Sequence, residues 1–200
     1  ITSISKALKL KPVNHVLNIG SDAIYADSSV PIDEKSCTAP TSLHGIMHLT
    51  REIMLSDASG DVPFASLRPT LIYGKNDPHN GYGPNQFSRL VRAGERVTLF
   101  GEGEEQRDHI FVDDVAELAV RILLYKSEGV LNAATGTVIS FKDCAETILE
   151  IFESNTPILS APRSGPIPHN GYRAFDPKAT FQAFYDFEYK TPQKGFYSLL

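Results

Sequence analysis

Apolar positions along the chain follow two alternating rhythms. Three continuous apolar runs, HVLNIGS (15–21), PFASLRPTLIYG (63–74) and VLNAATG (130–136), end on glycine or serine and read as buried strands. Other segments carry apolar residues at helical spacing. Ile1, Ile4, Ala7 and Leu8 predict the end of an amphipathic helix over 1–10, stopped by Pro12. Leu43, Met47 and Met54, with Ile46 and Ile53, predict a helix capped by Thr41 or Ser42. QFSRLVRAGE (86–95) reads as a helix stopped by Gly94. VDDVAELAVRILLYK (112–126) is a strongly amphipathic helix with Asp113 or Asp114 at its cap, and Ser140 caps another over FKDCAETILEIFES. RVTLFGEGEEQRDHIFV (96–112) reads as strand, tight glycine turn, strand. Turn residues fill the loop through Pro31, Asp33, Glu34 and Pro40, and the loop KNDPHNGYGPN (75–85). The tail from 155 is proline-rich and irregular, with a weak helix around 177–185.

Apolar strands alternating with helices predict an α/β fold with a parallel sheet. Ligands of such sheets sit at the carboxyl ends of the strands. That rule nominates Ser21–Tyr25, Thr70–Gly74 and the loop after Gly74.

Composition narrows the partners. The 200 residues are 42% hydrophobic and 22% charged, with net charge −5, which suits one large domain or a domain with a small appendage. Mild acidity argues against nucleic acid or an anionic membrane surface. No run approaches the roughly 20 apolar residues of a membrane span, and ITSISKALKLKP is too polar for a secretory signal. A cytoplasmic protein is expected. Cys37 and Cys144 lack a metal or redox spacing and read as inert buried thiols.

Several stretches could carry chemistry. GSDAIYAD (20–27) brings Ser21 and Asp22 to a strand end, where hydroxyl and carboxylate can handle a proton; equally, they can satisfy loop amides. Arg107, in GEGEEQRDHIFVDD (101–114), suits a bidentate grip on phosphate or a surface ion pair. His44-Gly-Ile-Met-His48 places two imidazoles on one helix face, open to a metal, a catalytic or a plain surface role. A zinc helix of the HExxH type needs Glu after the first histidine, and Gly45 stands there. His79 and His109 complete no metal-ligand pattern, so no metal is expected.

Taken in order, IGSDAIYAD, P-x-x-E, PTSLHGIMHLTRE, LRPTLIYG, FGEGEEQRDHIFVDDVAELAV and VLNAATG resemble the extended short-chain dehydrogenase/reductase family, in its NAD-dependent sugar epimerase/dehydratase branch. That family's pattern runs S-[ST]-[DS]-x-V-Y-G, P-x-x-E, Y-G-x-S-K, L-R-x-x-N-V-Y-G, G-x-G-x-x-x-R-D-x-x-x-V-x-D-x-A and Y-N-x-x-x-G. The likeness covers roughly residues 12–150. It implies a Rossmann-like doubly wound sheet with a small mixed α/β substrate-binding subdomain, and hydride transfer at a sugar carbon through NAD or NADP on a nucleotide-sugar. Ser21 falls on the active-site Ser/Thr that bonds the reacting sugar oxygen, and Asp22 on the acid of the dehydratases. The Glu that follows in those enzymes is here Ala23, which puts a full dehydratase mechanism in doubt. Gly20, Pro69, Thr70 and Leu71 fall on the cofactor side of the strand ends. Thr70 stands where many members have Asn, and it and Asn85 face the substrate. Arg107 matches the arginine that grips the substrate diphosphate. Asp113 or Asp114 matches a helix-capping acid.

The departure is at the catalytic pair. His44 replaces the family tyrosine and His48 the lysine that also holds the cofactor ribose. An imidazole, whose ordinary pKa is about 6.5, can accept a proton without such help, so His44 is a candidate acid/base and His48 a candidate ribose partner. The exchange is compatible with catalysis, or with a non-catalytic relative that binds NAD or nucleotide-sugar as a sensor or scaffold.

The glycine-rich G-x-x-G-x-x-G start of the family has no counterpart; Gly81-Tyr-Gly83 and Gly101-Glu-Gly103 lack its third glycine and its strand–turn–helix setting. The chain therefore reads as the carboxyl-terminal portion of a longer protein, lacking about the first hundred residues by usual domain sizes. Residues 1–74 are expected to form the second half of the NAD-binding domain. Residues 75–200 are expected to form mainly the substrate subdomain, with segments around 108–140 returning to the sheet. Such a piece is expected to bind NAD weakly or not at all. A homodimer fits the resemblance.

Overall fold

The computed structural model describes residues 1–11 and 13–200, so the expected helix stop at Pro12 lies outside the described residues. In chain order the elements are α1 (Thr2–Leu10), β1 (Val16–Ile19), α2 (Leu43–Ser59), β2 (Phe64–Pro69), β3 (Leu71–Tyr73), α3 (Pro84–Arg92), β4 (Val97–Phe100), β5 (Gln106–Phe111), α4 (Val112–Tyr125), β6 (Gly129–Ala133), β7 (Val138–Ser140), α5 (Phe141–Ile151), β8 (Ile158–Ala161), β9 (Tyr172–Arg173), α6 (Lys178–Ala183) and α7 (Pro192–Tyr197).

The three apolar runs of the sequence form one parallel sheet, ordered β1-β2-β6. The run 63–74 is not one strand. Pro69 ends β2, the Thr70 amide donates to the Ala133 carbonyl (3.0 Å), and β3 then leaves to pair in parallel with β5 in a second sheet. Leu71 and Ile72 are exposed rather than buried, because they wall the cavity described below. β5 also pairs with β7 (antiparallel) and β9 (parallel), while β4 pairs with β8. The glycine turn after β4 thus separates two strands that belong to different sheets. Both β8 and β9 fall in the tail that reads as irregular, because a two-to-four-residue strand is too short to show an alternation.

Apolar packing follows these sheets. One core gathers Tyr73, Phe87, Phe111, Phe141, Ile148 and Phe196 under α3, α5 and α7. A second holds Leu67, Ile110, Leu118, Ile122 and Leu131 between the first sheet and α4. Among the described residues no helix is long and apolar enough to cross a membrane.

Local chemistry agrees with the expected α2 cap and corrects two other expectations. Ser42 caps α2, accepting from the Gly45 amide (3.1 Å). α4, however, starts at Phe111 with no side-chain cap; Asp114 instead accepts from the Lys190 amide (2.9 Å), tying the tail to the helix. Cys144 is buried in the first core, but Cys37 is exposed.

The largest correction concerns α2. Its apolar residues Leu43, Ile46, Met47 and Ile53 are exposed, and its inner face is Gly45, Glu52, Leu55, Ala58 and Ser59. The inner face meets a polar network instead of an oily core. Glu52 Oε2 accepts from Ser66 Oγ (2.6 Å) and Arg68 Nε (3.0 Å), and Oε1 accepts from Arg68 Nη2. Arg68 Nη1 donates to the Tyr25 hydroxyl (2.7 Å), which donates to Asn132 Oδ1 (2.8 Å). Asn18 Nδ2 donates to Ser66 Oγ (2.9 Å) and its Oδ1 accepts from Arg51 Nε (3.1 Å). α2, all three strands of the first sheet and the loop after β1 are thereby joined. Removing one partner of a buried pair strands the other charge, at roughly 3–5 kcal/mol. Glu52→Ala is expected to lose that much in urea unfolding; a loss under about 1 kcal/mol would remove the pair from this role.

Candidate functional site

β1, β2 and β3 deliver their strand ends to one place. Gly20 follows β1, with its amide on the Leu67 carbonyl (2.7 Å). Ser21 is buried and caps a single helical turn over Asp22–Ile24, its Oγ accepting from the Ala23 amide (3.2 Å). That turn is where α2 touches. A Cβ on Gly45 would come within 2.2 Å of the Ala23 carbonyl oxygen and 2.7 Å of Pro40 Cβ. Only glycine lets the helix backbone lie on this loop. His44 precedes that contact and His48 lies one turn after His44, so both imidazoles line the cavity that Ser21 also lines.

Their rings are stacked at 4.5 Å between centroids, tilted by 60°. His44 is exposed, and His48 is half-buried. Arg51 Nη2 lies 3.0 Å from His48 Nδ1 and also donates to the Ile19 carbonyl. Partial burial, then the Arg51 charge, then His44 push the His48 pKa below its ordinary 6.5, against a smaller pull from Asp22. His48 is therefore neutral at pH 7, and Arg51 supplies the fixed positive charge beside it.

The residues that the resemblance assigns to catalysis, cofactor or substrate line one cavity of about 570 Å³: Gly20, Ser21, Asp22, His44, His48, Pro69, Thr70, Leu71, Asn85 and Arg107; of the strand-end stretches, Ile24, Tyr25, Tyr73 and Gly74 do not reach it. Their environments differ from a set of free groups. Asp22 is held by Arg173, whose Nε donates to Oδ2 (2.9 Å) and whose Nη2 donates to the Asp22 carbonyl (2.6 Å). Thr70 Oγ1 donates to Asp108 Oδ1 (3.3 Å). Burial, only partly offset by hydrogen bonds from Thr135, Gly136 and Thr70, raises the Asp108 pKa to about 6. Asn85 closes the 74–85 loop on itself, accepting from the Gly74 amide (3.0 Å) and donating to Asp77 (2.9 Å). Arg107 is buried, with Nη2 on Glu105 Oε2 (2.6 Å) and on the Pro168 carbonyl (2.8 Å). Glu105 also pairs with Arg163, so one carboxylate is shared between two guanidinium groups.

Three wall residues, Arg173, His169 and His109, escape the sequence reading, while Tyr82 belongs to the nominated loop. Arg173 and His169 come from the irregular tail, which offers no periodicity to place them. His169 sits in a left-handed backbone conformation (φ 53°), with Nδ1 2.5 Å from Asp27 Oδ1. Tyr82 lies in the glycine loop after β3. His109 was legible in principle, because strand alternation puts it on the same face as Arg107.

The NAD dependent epimerase/dehydratase family model matches residues 2–134. Among solved structures, the chain is similar to UDP-N-acetylglucosamine 4-epimerase from Methanobrevibacter ruminantium (20% identity, TM-score 0.86), covering 99% of this chain and 65% of that one. It is similar also to the NAD complex of UDP-glucose 4-epimerase from Thermus thermophilus (23%, 0.86; 99% and 66%), and to RMD from Pseudomonas aeruginosa with NADPH (17%, 0.84; 100% and 70%). The chain thus spans 65% of the length of the first of these proteins. It belongs to the NAD-dependent epimerase/dehydratase family and has that family's Rossmann-like α/β fold.

Titration of the wall histidines follows from burial. His48 is expected to titrate below 6.5 when followed by NMR. His109, fully enclosed and beside Arg107, has its pKa pushed down to about 3. The unfolded chain then binds the proton first as pH falls, so this burial costs stability progressively between about pH 6.5 and 3. His109→Phe is expected to gain on the wild type in urea unfolding as pH is lowered through that window. A pH-independent difference would contradict it.

Proposed function

We propose that this member of the NAD-dependent epimerase/dehydratase family is the carboxyl-terminal portion of an NAD(P)-dependent nucleotide-sugar epimerase, dehydratase or reductase. The carrying observation is convergence: residues nominated from five separate stretches of sequence line one cavity at the carboxyl ends of the parallel strands. The neighbours' own ligands support the class, since the Bacillus cereus UDP-glucuronic acid 4-epimerase was solved with UDP-glucuronic acid and NAD (18% identity, TM-score 0.85, 98% of this chain and 63% of that one).

In this reading Arg107 anchors the diphosphate, joined by Thr70 and Asn85 on the substrate wall. Ser21 hydrogen-bonds the reacting sugar hydroxyl, and His44 removes its proton as the hydride leaves the same carbon. Bound nicotinamide cofactor supplies the hydride acceptor. His44 would hold that proton and give it back to the same sugar oxygen. Asp22, tied to Arg173, orients Ser21 and is an auxiliary acid at most.

The wall fits a nicotinamide ribose. Gly20 lines the cavity at the end of β1. Pro69 and Leu71 offer apolar contact, and neutral His48 can exchange hydrogen bonds with ribose hydroxyls. With the glycine-rich phosphate cradle missing from these 200 residues, this chain by itself holds the cofactor weakly.

A second reading is a non-catalytic relative that binds the same ligands as a sensor or scaffold. The His44 and His48 replacements favour it, as does Glu105, which already neutralises part of the Arg107 charge. Turnover of UDP-glucose by the full-length protein separates the two. The catalytic reading predicts that His44→Ala lowers kcat by roughly 10²–10⁴-fold, the range of a general acid/base. Unchanged turnover in His44→Ala would remove His44 from the mechanism, and absence of turnover in the parent would favour the sensor.

A further inference from the structure

Arg51 lies one turn beyond His48 on α2 and stands at none of the motif positions that located the site. Its guanidinium is fixed at three points. Nε donates to Asn18 Oδ1 (3.1 Å), and the two N–H bonds of Nη2 meet the Ile19 carbonyl and His48 Nδ1 (3.0 Å). Asn18 and Ile19 belong to β1, so the guanidinium bridges the helix to the end of that strand. Asn18 is itself held by Ser66 inside the Glu52–Arg68 network, which leaves the fork little freedom.

This contact decides the state of the imidazole. A guanidinium donates hydrogen bonds and accepts none. His48 Nδ1 is therefore the acceptor, and its lone pair is not available for a proton. In a neutral ring the single hydrogen then sits on Nε2, because the bond made at one nitrogen sets the proton at the other. Nε2 has no hydrogen-bond partner among the described residues and is not sealed from solvent. The ring lines the main cavity together with Gly20, Pro69 and Leu71. His48 thus presents one donor to the cavity and no acceptor. A lysine carries donors and charge on one nitrogen; here the donor is on His48 and the permanent charge is on Arg51 behind it.

We propose that Arg51 is a positioning residue of the cofactor site: by donating to Nδ1 it holds His48 as an Nε2–H donor, suited to an uncharged acceptor such as a ribose hydroxyl oxygen. This rests on the reading above, in which His48 meets the nicotinamide ribose, and adds to it the residue that sets the donor. Arg51 acts through His48 and touches no reacting atom. The other groups facing His48 are His44 on α2, Asp22 on the loop after β1 and Ile1, with its amino group, ahead of α1. Burial is the largest influence on the ring, Arg51 and His44 act in the same direction, and Asp22 pulls weakly against them. Removing Arg51 therefore raises the His48 pKa toward its ordinary 6.5.

Nitrogen NMR of the histidine rings in this chain tests it, with nicotinamide mononucleotide as a probe that carries the ribose without the adenosine half. In the wild type, neutral His48 should show a bare Nδ1 and a protonated Nε2, and should titrate below 6.5. Arg51→Met keeps the aliphatic stem and removes both charge and donor. Its His48 should titrate closer to 6.5 than that of the wild type. Affinity for the mononucleotide should fall about three- to tenfold, the size of one neutral hydrogen bond no longer held in place. Arg51→Lys keeps the charge without the fork; it should lie between the two, and it carries the test if Arg51→Met does not fold. A wild-type ring protonated on Nδ1 overturns the proposal and leaves the nucleotide-sugar reading intact, as does a His48 titration or a mononucleotide affinity unmoved in both variants. A wild type in the expected tautomer whose His48 is untouched by the mononucleotide overturns the ribose reading and the proposal with it.

Discussion

The buried ion pair between Glu52 and Arg68 is the constraint on which the site depends. Both side chains are almost completely removed from water, and such a pair is tolerable only when its remaining hydrogen-bonding capacity is met. Ser66, Tyr25, Asn132 and Asn18 meet it, each from a different part of the first sheet or the loop after β1. Burial would pull the Arg68 proton off, but the Glu52 carboxylate outweighs it and holds the guanidinium charged. Because Glu52 is on α2, the pair fixes that helix in rotation and height. His48 and His44 lie four and eight residues before it, close to the same helix face. Their placement beside Ser21 is a consequence of the pair at one end and the Gly45 contact at the other.

Electrostatics of the cavity follow a related logic. Three guanidinium groups at the cavity have acidic partners: Arg173 has Asp22 and Asp27, while Arg107 and Arg163 share Glu105. Two arginines against one glutamate leave a net positive charge. A diphosphate can occupy it by competing with Glu105 for donors, not by filling an open clamp. The positive charge is local to the Arg107 corner, where Glu105 moderates it; at the other side Asp22 and Asp27 together outweigh Arg173.

Much of the fold was legible as periodicity. The β1, β2 and β6 runs read as buried parallel strands because both faces of that sheet are covered, and α4 and α5 show an apolar stripe because they pack on oily cores. α2 was legible as a helix, but its buried face was not. Glu52 and Gly45 are inner-face residues for electrostatic and steric reasons that hydrophobic pattern does not register. The break at Thr70 was hidden for a similar reason, since nothing in PFASLRPTLIYG says that its two halves pair with different strands. At the site, motif order located His44, Ser21 and Arg107 without showing what holds them. Arg173, which holds Asp22, comes from the tail, and the hydrogen bonds by which Asn85 closes its own loop leave no trace in the hydrophobic pattern.

The central claim is that these strand ends, α2 and Arg107 form one cavity for a sugar on a nucleoside diphosphate. A crystal structure of this chain soaked with UDP-glucose tests it most directly. The account predicts the diphosphate at Arg107, the glucose beside Ser21, and His44 facing a sugar hydroxyl. Nucleotide bound elsewhere on the surface, with the cavity holding water alone, would contradict it.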